Sequence, residues 1–310
     1  MTSKIDIHHH FLPPFWVDYL REHPSPHRVP EWSPKAALES MDRQGIARAY
    51  LSLSVPGVLP WPEPERPAVA RRVNEYASEL MDRWPDRFGT LATLPLPDVH
   101  AAIAELQHAY AELGAAGVIL FTNYGDSFLG DPVYEPLWAE LDRRSAVVLI
   151  HPDSPPLPGL AGVPASLVDF PFATTRTAVD MVLKGVMTRY PNLRVVLSHA
   201  GGFLPYAAER FAVGGAGLPG QPDEETLMCQ FRRFYFDTAL STGPLALTPL
   251  AVFADPDKVL FGSDYPYAAG RSEDFTARFD AGDALTPQQH EAISSWNAAA
   301  ILKLAEHNSA

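Results

Sequence analysis

Short apolar runs recur along the chain and alternate with longer stretches of helical periodicity. The short runs lie at 4–8, 47–54, 88–94, 117–121, 146–150, 194–198, 234–237 and 258–261. They hold few charges. Segments of this length without polar alternation read as strands buried on both faces, as in a parallel sheet. Helical spacing is expected over 33–44, 67–84, 100–113, 132–144, 174–189 and 286–304. Ser33 stands where an N-cap belongs, Pro34 follows it, and Gly45 stands just past the last periodic residue. Gly114 ends another helix, and Thr286-Pro287 opens the last.

Eight strands alternating with helices predict a closed α/β barrel, the (β/α)8 or TIM barrel. An open, doubly wound sheet is the competing arrangement. It would normally carry a glycine-rich phosphate turn after an early strand, and the sequence has none. With no internal repeat and no linker-like shift in composition, residues 1–310 read as one domain. Prolines crowd 13–34, 56–67 and 152–171, which read as long, stiffened loops.

Composition then removes some function classes. The chain is 46% hydrophobic and 20% charged, ordinary for a soluble globular protein. A formal net charge of −13 disfavours nucleic acid or an anionic membrane as partner. It leaves an anionic small molecule open, because one local cation can dominate a pocket. No apolar run reaches membrane-spanning length, and the first residues lack the apolar core of a signal peptide. Cys229 is the single cysteine, so no disulfide can form within the chain and a reducing cytoplasm is the expected compartment.

The candidate chemistry collects at strand ends. In a parallel barrel, catalytic groups sit where the strands end. Here the first strand runs into His8-His9-His10, the fifth into His151-Pro152, the sixth into His199-Ala200-Gly201-Gly202 and the eighth into Gly262-Ser263-Asp264. Alternate strand residues share a side, so His8 and His10 can grip one ion while His9 points away. Each residue alone has a bland reading: a tag remnant, a packed histidine, a turn aspartate. Matched placement at four strand ends favours a metal site. Three imidazoles and a carboxylate without thiolates suit a catalytic divalent ion, with zinc, manganese or iron all fitting the donors. Asp237 ends the seventh strand and is expected to orient or pack the site. His27 lies in a loop expected to overhang the mouth, whereas His23, His100, His108, His290 and His307 read as surface or loop residues. Phe170, Phe172, Phe203 and Tyr206 could line a pocket for a flat ring, although isolated aromatics more often belong to the core.

The segments Ile5–Pro13, Ile150-His151-Pro152, Ser198–Gly202 and Phe261–Pro266 together resemble the amidohydrolase superfamily. More narrowly, they resemble the branch of aminocarboxymuconate semialdehyde and γ-resorcylate decarboxylases. The likeness runs from residue 4 to about 303. It implies one divalent ion, zinc or manganese, on His8, His10, His151 and Asp264, with His199 as the catalytic histidine. It also implies a homodimer. Many amidohydrolases carry a metal-bridging carboxylated lysine after the fourth strand; here that stretch reads Gly117-Val118-Ile119-Leu120-Phe121-Thr122-Asn123, without lysine. Residues 51–57 and 94–98 further resemble the subgroup that includes 6-methylsalicylate decarboxylase.

The expected activity is therefore non-oxidative decarboxylation of a hydroxylated aromatic acid of the salicylate type. Asp264 is the expected proton donor and His199 its partner. Arg28, Arg176 and Phe203 are candidates for substrate binding, the arginines as a carboxylate clamp. Hydrolysis of a lactone, amide or ester by the same residues is the alternative. A binding protein that merely kept the scaffold is a third reading, which an intact ligand set disfavours.

Overall fold

The computed structural model describes residues 3–23, 25–268 and 270–304. Eight strands form one sheet in chain order: β1 (Lys4–His10), β2 (Ile46–Ser52), β3 (Phe88–Thr93), β4 (Gly117–Phe121), β5 (Val147–His151), β6 (Arg194–Leu197), β7 (Tyr235–Asp237) and β8 (Val259–Leu260). Every neighbouring pair is parallel. The backbone closes the ring between the first strand and the segment after the last. Ile7 N–H donates to Phe261 O at 3.1 Å, Asp264 N–H to His8 O at 2.9 Å and His10 N–H to Tyr265 O at 2.7 Å. The expected barrel is thus present, with each strand within a few residues of its expected place.

Burial explains the apolar strands. All residues of β3, β4 and β5 are buried, inner face against the barrel interior and outer face against helices. The helix Pro34–Gln44 forms where its signals predict: Ser33 Oγ accepts Ala36 N–H at 3.2 Å, and Gly45 ends it with φ 67°. A small two-stranded hairpin, Asn123–Tyr124 with Ser127–Phe128, follows β4.

Three readings need correction. Residues 13–34 are not all loop, because Pro14–Glu22 is a helix with its prolines at the entrance, where no N–H is needed. Residues 165–171 are helical too: Ala165–Leu183 begins nine residues before the expected start at 174 and carries Pro171 inside it. Thr174 and Thr175 hydroxyls donate to the carbonyls of Phe170 and Pro171 at 3.1 and 2.8 Å, taking up backbone groups near that proline. The segment 286–304 is helical over 287–301 but not α throughout, since Ala292–Trp296, between Pro287–Glu291 and Asn297–Ile301, is π-helical. His307 lies outside the described residues.

Candidate metal centre

Three imidazoles and one carboxylate meet at the carboxyl end of the barrel. His8 and His10 end β1, His151 ends β5, and Asp264 follows β8. One donor atom from each lies within 4.8 Å of all the others, and all four residues are buried. The expected alternation holds. His9 turns away, its Nδ1 2.9 Å from Asp6 Oδ2 and its ring stacked 4.9 Å from Tyr265.

Hydrogen bonds on the outer side fix the tautomers. His8 Nδ1 lies 2.7 Å from Asp237 Oδ2, His10 Nδ1 3.1 Å from Ser52 O, and His151 Nδ1 2.9 Å from Pro152 O. These oxygens accept, so each Nδ1 carries a proton and each Nε2 faces inward, while Ser52 Oγ, also 3.1 Å from His10 Nδ1, has its own acceptor in His9 O at 3.4 Å. His8 Nε2 and His10 Nε2 stand 3.0 Å apart, and Asp264 Oδ1 lies 3.4 and 3.2 Å from them. Electron-rich atoms this close repel unless a cation sits among them. Asp264 Oδ1 is buried and makes no hydrogen bond.

The site's field favours positive charge. Burial opposes protonation of His8, yet Asp237 and Asp264 outweigh it and pull the imidazole up to about 10. His10 is pushed down by burial, with the charge of His8 adding to the effect and Asp264 opposing it. His151 is held well below its ordinary range by burial and by the His10 and His8 imidazoles. Burial would raise Asp264, but His10, His199 and His8 hold its carboxyl well below the usual carboxylate range. A divalent cation would take the place of the proton that His8 otherwise holds, and the three inward nitrogens, an ionised carboxylate and no thiolate then fit zinc or manganese.

His199 stands beside this set. Its Nε2 is 3.6 Å from Asp264 Oδ2, its ring centroid is 5.2 Å from that of His8, and its Nδ1 is buried without a partner. The backbone holding it is strained. His199 and Ala200 both adopt φ 55°, and Gly201 and Gly202 continue the left-handed run at 73° and 63°. Non-glycine residues there cost about 1–3 kcal/mol each and persist only where the surroundings enforce them. The surroundings here are close. A Cβ on Gly202 would lie 2.1 Å from Pro171 O, and Phe203 N–H donates to Thr175 Oγ1 at 2.8 Å. Asp264 also sits at φ 55°.

Two carboxylates behind the site join its parts. Asp237, expected to orient the site, binds His8 through Oδ2 and accepts His199 N–H through Oδ1 at 2.9 Å. Gly262 makes this approach possible, since a Cβ there would fall 2.9 Å from His8 Cβ and 3.2 Å from Asp237 Cβ. Asp6, which the sequence reading passed over, accepts the N–H groups of His8 and Ser263 at 3.1 Å each. The missed signal was an aspartate inside an apolar strand, a buried charge that demands partners.

The substrate-binding candidates are spread around the mouth. Arg28 is exposed, although its charge acts on the Tyr267 phenol. Arg176 is half-buried, with its guanidinium 4.8 Å over the Phe128 ring and 5.4 Å over Phe172. Phe203 is 44% exposed and Tyr206 88% exposed, so neither is core, and Phe172 lies at the surface as well. Phe170 packs edge-on against His151 at 6.3 Å. His108 and His290 lie half-buried on helices rather than in loops. Tyr267 was missed altogether. Its ring meets His10 edge-on at 5.3 Å, and its buried hydroxyl has no partner.

The same architecture recurs in known proteins. The chain is 39% identical over 282 residues to 6-methylsalicylic acid decarboxylase of Penicillium expansum, covering 86% of each chain. A crystal structure of an amidohydrolase II superposes with a TM-score of 0.90 at 33% identity, over 97% of this chain and 100% of that one. A 2,6-dihydroxybenzoate decarboxylase in complex with 2,6-dihydroxybenzoate superposes with a TM-score of 0.85 at 26% identity, over 98% and 100%. The amidohydrolase family profile matches residues 5–304, and with the ligand set in place at the barrel mouth the chain belongs to that family.

Proposed function

We propose that this protein is a metal-dependent, non-oxidative decarboxylase of a hydroxylated aromatic acid of the salicylate type. The observation that carries the reading is the placement of His199 beside Asp264 Oδ2, while Asp264 Oδ1 faces the inward nitrogens of His8 and His10. One carboxylate thus serves both a cation site and a proton route. The 39% identical relative supports the choice of reaction. No observation favours the hydrolytic alternative.

His8, His10, His151 and Asp264 would hold one divalent ion, zinc or manganese. When bound, such an ion supplies Lewis-acid stabilisation of negative charge on the substrate's oxygens. The chain's own residues supply the rest. Decarboxylation requires a proton at the ring carbon that bears the carboxylate. The carbon–carbon bond then breaks, its electron pair returns to the ring, and carbon dioxide departs. His199 Nε2 is placed to pass a proton to Asp264 Oδ2. The imidazoles disfavour a proton on Asp264, which makes the protonated carboxyl a strong donor to the ring. The unpartnered Tyr267 hydroxyl and His199 Nδ1 are free to meet substrate oxygens. Arg28, Arg176 and Phe203 remain the candidates for contacts at the rim.

The test is carbon dioxide release by metal-loaded protein from salicylate, 6-methylsalicylate and 2,6-dihydroxybenzoate. Release from none of them, alongside turnover of a lactone or ester, would reverse the assignment. We further infer a homodimer. Tyr206, Leu245 and Val252 are 88%, 94% and 79% exposed on two helices, Leu204–Ala216 and Pro244–Phe253, that pack side by side. A monomeric mass by light scattering would refute it. Among the described residues no helix is long and apolar enough to cross a membrane. The single cysteine, exposed and unpaired, is in keeping with a cytoplasmic setting.

A further inference from the structure

A cleft of about 510 Å³ opens between the loop after β2 and the residues around His27 and Asp153. One wall is apolar, made by Pro56, Leu59 and Pro60 of the loop after β2. The other carries His23, His27 and Asp153. Each wall is close in the chain to a residue of the metal centre or to one in contact with it. Asp153 lies two residues beyond the ligand His151. Pro56 lies two beyond Ser54, whose Oγ is 3.5 Å from His151 Nε2.

The apolar wall is built rather than loose. Trp16 Nε1–H donates to Gly57 O at 2.7 Å, Tyr19 O–H to Pro60 O at 3.3 Å and Arg66 Nη2–H to Leu59 O at 3.0 Å. Asp153 is fixed as well, its N–H donating to Thr122 Oγ1 at 3.1 Å. His27 Nε2 stands 3.5 Å from Asp153 Oδ1, too long for a good hydrogen bond. A volume of this size falls within the roughly 300–1,000 Å³ of small-molecule pockets, and one ring methyl group leaves most of it unused.

We propose that this cleft is a substituent pocket: it receives an extended alkyl or aryl group on the aromatic acid, packed against Pro56, Leu59 and Pro60 under the cover of His27. The proposal rests on the aromatic-acid reading above. It makes the natural substrate a salicylate-type acid with a substituent of several carbons, and it makes Leu59 and His27 specificity-determining residues.

The experiment measures kcat/KM for salicylates carrying methyl, propyl or pentyl at each open ring position in turn. The wild-type protein is expected to accept pentyl within about tenfold of methyl at one position at least. Leu59→Trp, which fills the cleft from the apolar wall, should cut the pentyl rate at that position at least tenfold relative to methyl. The methyl rate of the variant reports its folding, and His27→Trp fills the cleft from the other side should Leu59→Trp fail to fold. A steep loss beyond methyl at every position in the wild-type protein overturns the cleft assignment alone, as does an equal effect of both variants on methyl and pentyl. Carbon dioxide release from none of the acids overturns the aromatic-acid reading and the cleft with it.

Discussion

One carboxylate, Asp237, holds His8 and His199 at once, with Oδ2 2.7 Å from His8 Nδ1 and Oδ1 accepting His199 N–H at 2.9 Å. Asp237→Asn keeps the shape but can present an N–H to His8 Nδ1. The imidazole then favours the opposite tautomer, with a proton where the lone pair should face the cation. Metal affinity is expected to fall about 10–100-fold, with kcat/KM falling alongside. Titration against chelator-buffered zinc or manganese checks this, and wild-type affinity in the variant would remove Asp237 from the site.

His199 touches Asp264 without belonging to the four-donor set. His199→Gln should therefore keep metal stoichiometry while kcat drops by about 10²–10⁴-fold. Elemental analysis and single-turnover rates on the same preparation separate the two effects. Loss of metal in proportion to activity would make His199 a ligand instead.

The Tyr267 hydroxyl gives a prediction with opposite signs. A buried hydroxyl without a partner costs stability until a ligand satisfies it. Tyr267→Phe should leave Tm unchanged or raise it, while KM for the aromatic acid rises about tenfold, equivalent to about 1.4 kcal/mol. A lower Tm with unchanged KM would show that the hydroxyl serves the fold.

Glu140 offers a stability test away from the site. Arg143 hydrogen-bonds its carboxylate at 2.9 Å and Arg144 at 2.8 Å, and against the opposing effect of burial they hold it down to about 2. A carboxyl depressed in the folded state contributes stability above its ordinary value near 4.5, and loses it as pH falls toward 2. Glu140→Gln should therefore unfold at a lower temperature than wild type at pH 7, with the gap closing below about pH 4.5. Thermal melts at pH 7, 5 and 4 suffice. A gap that widens on acidification contradicts the assignment.

The metal site was legible because a parallel strand has a period of two and its end faces the mouth, so type and position together picked His8, His10, His151, His199 and Asp264, and the family resemblance set His199 apart from the four ligands. Asp237 was legible as a strand-end carboxylate, though not its double grip. The left-handed backbone at His199 and Asp264 was not, because neither residue type by itself signals positive φ and only tertiary surroundings can hold it there. Tyr267 escaped for a related reason: its ring reaches His10 only after the segment beyond β8 has docked on β1. The helix through Pro171 was hidden by its proline, which local rules count against a helix interior.

The backbone seam between β1 and the segment after β8 has a bearing beyond catalysis. Three of the four ligands, His8, His10 and Asp264, sit on its two sides. They lie far apart in the sequence, on β1 and beyond β8, so a cation shared among them would fasten the first strand of the barrel to the last. Joining residues so far apart closes a very long loop, and restriction of the unfolded state grows with loop length. A cation held there would thus also clasp the barrel, and its removal is expected to lower the stability of the fold along with the activity.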